Sequence, residues 1–248
     1  QNFITATNTY NVAVGFNAGV SVSTGTNNTA VGGLSLDATT TGTNNTAVGY
    51  SSLGANTTAS DNTAVGAGCL DANSTGTANT AMGSEALGAN TTASNSTAIG
   101  VSSLAANTTG DANTAVGKDS LDSNTTGARN TALGVDALQA NTTTNDNVAI
   151  GYEALTLNTA ANNTAVGKGS LAANTTGTQN TAVGAESLDA NTTGDQNSAL
   201  GLSALGANTT GADNSAFGRA ALAANTTASN NTAVGSSAGV ALTTGANN

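Results

Sequence analysis

The sequence predicts an all-β protein, a parallel β-solenoid (β-roll) of about fourteen coils of 17 residues each, and three observations carry that prediction. Glycine recurs at a fixed interval through the array. A short segment rich in Thr, Ala and Val precedes each of these glycines. Large side chains are too scarce to fill a wide core, because aromatic residues make up 2 % of the chain and Trp, Pro and His are absent.

The register is set by Gly15, Gly32, Gly49, Gly66, Gly83, Gly100, Gly117, Gly134 and Gly151, then by Gly167, Gly184, Gly201, Gly218 and Gly235. Each step is 17 residues except one of 16, between Gly151 and Gly167, where the segment from Asn158 to Asn162 has lost a residue. A loss tolerated at one place marks a turn. The unit reads N-T-A-V-G-x-x-(S/A)-L-x-A-N-T-T-G-x-x. It is too short for a helical hairpin repeat, which needs a 3.6-residue apolar period over about 30 residues or more. Disorder, the other reading of a Gly-rich polar chain, does not require a register.

Along the unit, three columns are apolar: the residue before the anchor glycine (Val14, Val48, Met82, Leu200, Phe217), the Ala before that, and the Leu four residues after it (Leu53, Leu87, Leu188). Together they predict a slim continuous core. In T-A-V the first and third side chains face one way and the second the other, as a strand requires. The following (S/A)-L-x-A reads as a second short strand or a bend. The glycine after the Thr pair (Gly42, Gly76, Gly177) reads as a positive-φ corner, with Ala59, Ala93, Thr144 and Ala228 as the departures.

Two Asn columns remain, one opening the strand (Asn28, Asn45, Asn180) and one at the corner (Asn56, Asn124, Asn191). Stacked Asn side chains bond between coils and satisfy turn backbone groups, so both columns predict ladders. Triplets such as Asn56-Thr57-Thr58 also match the N-glycosylation acceptor pattern, as they must in a repeat of Asn and Thr. Stacking at about 4.8 Å per coil predicts a rod of roughly 65 to 70 Å.

Residues 1–10 lack the full unit and read as an N-terminal extension or junction, and residues 11–248 as the solenoid array. The chain opens at Gln1 without Met, which reads as a processed or excised piece. The first and last coils replace the Leu column by Gly19 and Gly239 and follow it with Val20 and Val240, a capping or junction signal. The chain stops at Asn248, one residue before another T-A-V-G would begin, so more chain or another subunit is expected to continue the register.

Fourteen acids against Lys118, Arg129, Lys168 and Arg219 give a net charge of −10 and no basic groove for nucleic acid. No apolar stretch approaches the ~20 residues of a transmembrane helix, so no membrane insertion is expected. Cys69 is alone in a column of Ala and Ser and reads as a small buried residue.

No catalytic, cofactor-binding or metal residues are assigned. Absence of His removes triads and general-base histidines. Glu85, Glu153 and Glu186 share one column, spread over different coils, where paired carboxylates would have to flank a cleft. Asp recurs only intermittently (Asp37, Asp71, Asp122 and Asp189; Asp61, Asp146 and Asp213), unlike rolls built on calcium in every turn.

The stretch Asn45-Thr46-Ala47-Val48-Gly49-Tyr50-Ser51-Ser52 resembles the N-S-V-A-I-G-x-x-S head repeats of YadA-like trimeric autotransporter adhesins. It is also similar to N-T-A-V-G…N-T-T-G arrays of phage-type tail fibres. The resemblance runs from Asn11 to the end, with a coil lengthened by the N-T-T-G corner. It implies left-handed coils, three chains side by side, and display on a cell or virion surface to bind a host or matrix ligand.

A non-enzymatic adhesive or structural segment of an extracellular fibre is therefore the leading expectation. Its partners would meet variable columns carrying Phe16, Tyr50, Val101, Val135, Tyr152 and Leu202. The alternatives are a self-assembling end-to-end filament, and an ice-binding solenoid using ranks of paired Thr such as Thr57-Thr58 and Thr192-Thr193.

Overall fold

The computed structural model describes residues 10–248; the expected N-terminal extension, apart from Tyr10, lies outside the described residues. The chain divides into two compact units, Gln1–Ala128 and Arg129–Asn248. Each is a parallel β-solenoid, and among the described residues every regular element is a strand of three residues.

In the first unit the strands are β1 (Val12–Val14), β2 (Thr29–Val31), β3 (Thr46–Val48), β4 (Thr63–Val65), β5 (Thr80–Met82), β6 (Thr97–Ile99) and β7 (Thr114–Val116). Each pairs in parallel with the next in sequence, Ala facing Ala at every step. The second unit repeats the arrangement with β8 (Thr131–Leu133), β9 (Val148–Ile150), β10 (Thr164–Val166), β11 (Thr181–Val183), β12 (Ser198–Leu200), β13 (Ser215–Phe217) and β14 (Thr232–Val234). The shortened coil keeps this register: Thr164 still faces Val148, and the missing residue is absorbed at the corner, where Asn158 Nδ2 donates to the Ala160 carbonyl at 2.7 Å.

The rest of each coil is turn and bend. After the anchor glycine the backbone folds through two successive three-residue closures, for example Ser103 N–H to Gly100 O at 3.3 Å and Asn107 N–H to Leu104 O at 3.1 Å. The (S/A)-L-x-A segment is therefore a turn and not a second strand. Its other backbone groups bond along the stack, as in Leu104 N–H to Ser120 O at 3.0 Å and Thr108 N–H to Thr125 O at 2.9 Å. Within each unit, successive coils are thus tied together at strand, turn and corner alike.

The core is narrower than three apolar columns. The strand Ala column and the Leu column are buried from Leu36 to Leu222. The column before the anchor glycine is not: Leu200 is 49 % exposed and Phe217 40 %. Because side chains alternate across a strand, an inward Ala forces both its neighbours outward. Ala holds the inner place because the large Leu of the turn already fills the interior.

The positive-φ positions also differ from expectation. The glycines after the Thr pair do not adopt positive φ. At Gly110 a Cβ on this backbone would overlap the carbonyl oxygen of Gly127 in the next coil, whereas other coils place Ala59, Ala93 or Ala228 in the same column. The anchor glycine does have positive φ, 137° at Gly100, where a Cβ would also lie 2.5 Å from the Gly117 carbonyl oxygen. Three further positions per coil are left-handed: the second residue after the anchor (Ser102, 54°), the buried Leu (Leu104, 52°) and the residue before the strand-opening Asn (Asn44, 60°).

Leu in that conformation carries a strain of about 1–2 kcal/mol, offset by the ~1.5–3 kcal/mol that burying its side chain contributes. Where Leu is replaced, in the first and last coils, the substitute is Gly19 or Gly239, the residue that takes this φ without strain.

Candidate functional site

The two Asn columns form ladders, and their geometry decides which surfaces stay free. In the second unit, Asn191 Nδ2 donates to Asn174 Oδ1 at 2.9 Å and to the Gly194 carbonyl at 3.0 Å. The same Gly194 carbonyl accepts Asn180 Nδ2 from the strand-opening column at 2.8 Å. Asn180 Oδ1 in turn accepts the backbone N–H and Nδ2 of Asn197, at 3.0 and 3.1 Å. The first unit repeats the pattern with Asn73, Asn90 and Asn107. These amides are fully buried, so each bond replaces one to water. The ladder lapses at the last coil, where Leu242 follows Asn225 in register and Asn225 Oδ1 and Asn231 Nδ2 lack partners.

The Thr pairs divide between the structure and the surface. The first Thr turns its hydroxyl to the next coil, as Thr108 Oγ1 does to Thr125 O at 2.9 Å and Thr192 Oγ1 to Thr209 O at 3.0 Å. The second Thr of each pair, such as Thr109 or Thr193, forms an exposed rank, joined at two coils by the first Thr, Thr142 and Thr243. Outward Thr side chains also line the strand face, a rank the paired-Thr expectation did not include.

That strand face carries the main apolar surface of each unit. In the first unit the column before the glycine exposes Met82 and Ile99, and the column after it exposes Phe16, 77 %, Tyr50, 63 %, and Val101. In the second, Leu133, Leu200 and Phe217 lie beside Val135, Tyr152 and Leu202. Lys168 and Arg219 share the column after the glycine in the second unit, and Lys118 of the first is paired with Asp119. The sequence signal for this face was present, since its column is always apolar, but it also fits a core column.

The acids line other edges. Glu153 and Glu186 stand two coils apart with Gly169 between them, bounding a notch of about 360 Å³ with Lys168 and Asp189. Burial raises the Asp189 carboxyl above its ordinary value, with the Glu186 charge adding to it. Glu85 borders a similar notch of about 370 Å³ with Asp71 in the first unit. Among the described residues no three His, Cys, Asp or Glu side chains are grouped to hold a metal ion. The exposed Arg129 guanidinium forks onto Asp146 at 2.7 and 2.8 Å and holds its carboxyl below the usual range. Cys69 is buried and its thiol is pushed up to about 12, mainly by that burial.

The fold and these surfaces define a parallel β-solenoid repeat protein. No protein-family model matches the chain, and no curated protein matches it.

Proposed function

We propose that the chain is a structural and adhesive segment of an extracellular cell-surface or virion-surface fibre, non-enzymatic, whose left-handed coils pack side by side in a homotrimer. The observation that carries this reading is the apolar strand face of each unit. Its column before the anchor glycine is apolar in every coil, beside a column that carries Lys118, Lys168 and Arg219 among apolar residues, on a chain otherwise rich in polar residues. Monomers rarely leave so continuous an apolar stripe in water.

Side chains in the stripe vary between Val, Met, Ile, Leu and Phe, so apolarity is kept while shape is not. A second copy offers the same columns at the same coil spacing, which suits such a stripe better than a lattice that demands one repeated side chain. The resemblance to YadA-like heads and tail-fibre arrays points to the same assembly and to a surface location. In this reading Phe16, Tyr50 and Tyr152 at the margin of the stripe meet the host or matrix ligand.

The test is the double variant Leu133→Glu and Leu200→Glu, whose side chains are exposed and leave the core untouched. Circular dichroism unchanged from wild type, with the mass in solution reduced to one chain, supports the reading. A variant with the mass of the wild type sinks it.

A further inference from the structure

The structure sorts the N-x-S/T acceptor sites of the chain into two physical classes. Ten belong to the corner Asn column: six at 17-residue steps from Asn56 to Asn141, and four from Asn174 to Asn225. All of these side chains are fully buried. Five others belong to the column before the strand-opening Asn, namely Asn27, Asn44, Asn95, Asn162 and Asn230, and all five are exposed.

N-glycosylation forms a bond from Asn Nδ2 to the anomeric carbon of a sugar carried on a lipid diphosphate; the diphosphate leaves and the amide gives up one hydrogen as a proton. In the corner column both Nδ2 hydrogens are already engaged. Asn191 donates to Asn174 Oδ1 and Gly194 O, and Asn90 to Asn73 Oδ1 and Ala93 O, at 2.8 and 3.1 Å. A sugar would remove one of these bonds and would occupy the space where the neighbouring coil stacks. Such sequons ordinarily mark surface loops, and here they mark the interior.

The exposed column differs. Asn44 Nδ2 reaches only the exposed Asp61 Oδ1 of the next coil at 2.9 Å, and its backbone, at φ 60°, turns the side chain outward at a corner.

We infer that this solenoid forms only where N-x-S/T sequons are left unmodified during synthesis, and that Asn27, Asn44, Asn95, Asn162 and Asn230 are the sequon asparagines able to carry an N-linked sugar in the folded chain. A secretory route that transfers oligosaccharide to the nascent chain would modify the corner column before it is buried and would prevent stacking. Delivery outside a cell, as proposed above, would then follow a route that adds no sugar before folding; the inference itself rests on the ladder and not on that proposal.

The experiment expresses the chain through a eukaryotic secretory pathway in two forms. One is wild type. The other carries Thr→Ala at the third sequon position of all ten corner sites, from Thr58 to Thr227. Those Thr side chains are exposed, so the change erases the sequons and leaves the ladder intact. Both forms are also made in a bacterial cytosol, where both are expected to fold.

The expected result is a wild-type chain glycosylated on the corner column, protease-sensitive and without the β-sheet signal. The Thr→Ala form is expected to fold while carrying sugar on the exposed column. Secretion of folded wild type with sugar mapped to Asn56, Asn90 or Asn191 overturns the inference. So does secretion of folded wild type with the corner column unmodified, or a Thr→Ala form that folds in the bacterial cytosol but not in the secretory pathway.

Discussion

Asn191 shows how a single side chain holds two coils at once, and its replacement gives the most direct residue-level prediction. Asn191→Leu keeps the branched shape at a larger volume, and removes the donors to Asn174 and Gly194 and the acceptor used by Asn208. Unsatisfied buried groups of this kind cost roughly 1–3 kcal/mol each, so urea unfolding is expected to show a loss of at least about 2 kcal/mol. The same change at Asn225 is expected to cost less, because Asn225 Oδ1 already has no partner. Equal losses at the two sites would contradict the ladder account.

The left-handed positions give a prediction of opposite sign. Ser203 sits at φ 52° in a column where Gly169 already occurs. Ser203→Gly relieves about 1–2 kcal/mol of strain against about 0.5–1 kcal/mol of added chain entropy, so denaturant unfolding should register a gain of about 0.5–1 kcal/mol. For Asp189 the folded-state carboxyl lies above the ordinary 3.8, from burial first and the Glu186 charge after it. A carboxyl raised on folding opposes the folded state once ionised, and stability falls as pH rises through the interval above 3.8. Asp189→Asn should therefore be more stable than wild type at pH 7, with the advantage gone in acid below both values; an advantage independent of pH would contradict this assignment.

At the scale of the element, the unit of structure is the coil and not the strand. A three-residue strand has little stability alone, and each coil gains its stability from the neighbours above and below. Removing one full coil, residues 202–218, joins Gly201 to Arg219 in unchanged register. This deletion is expected to retain the β-sheet circular dichroism signal and cooperative unfolding, whereas removing half a coil is expected to abolish both. The chain already holds one case of the rule, since the coil after Gly151 is short by one residue and loses it at the corner with β9 and β10 still in register.

Much of this was legible in the sequence because periodicity survives translation into structure. The 17-residue spacing fixed the coil, Asn28 and Asn56 marked the ladders, and the buried Leu column was read correctly. The outward face was harder. Val48 and Ala47 are both small and apolar, and only the alternation of a strand separates a core Ala from a surface Val. The left-handed turns were hidden for a different reason. Leu at positive φ gives no compositional warning, and the second residue after the anchor glycine varies from Glu85 to Ser102 to Gly169. The column before the strand-opening Asn did carry a signal, because Asn44, Asp61 and Asn95 are the residue types that tolerate this conformation.

At the scale of the whole molecule, a core whose buried amides are bonded within each unit, save at the last coil, lies beneath a surface with apolar side chains left outward. The Asn ladders and the Leu column leave little for a partner to complete inside each unit. Among the described residues the strand face of each unit is an extended apolar surface whose burial would add stability, and in the proposed trimer it would meet the same columns of another copy. Lys118, Lys168 and Arg219 lie in the column bordering it, so charge at the margin accompanies apolar side chains at its centre, as in oligomer interfaces. The most direct test is the mass of the wild-type chain in solution, measured by light scattering at several concentrations. The account predicts a discrete species of three 23.5 kDa chains at every concentration measured. A stable species of one chain would contradict it.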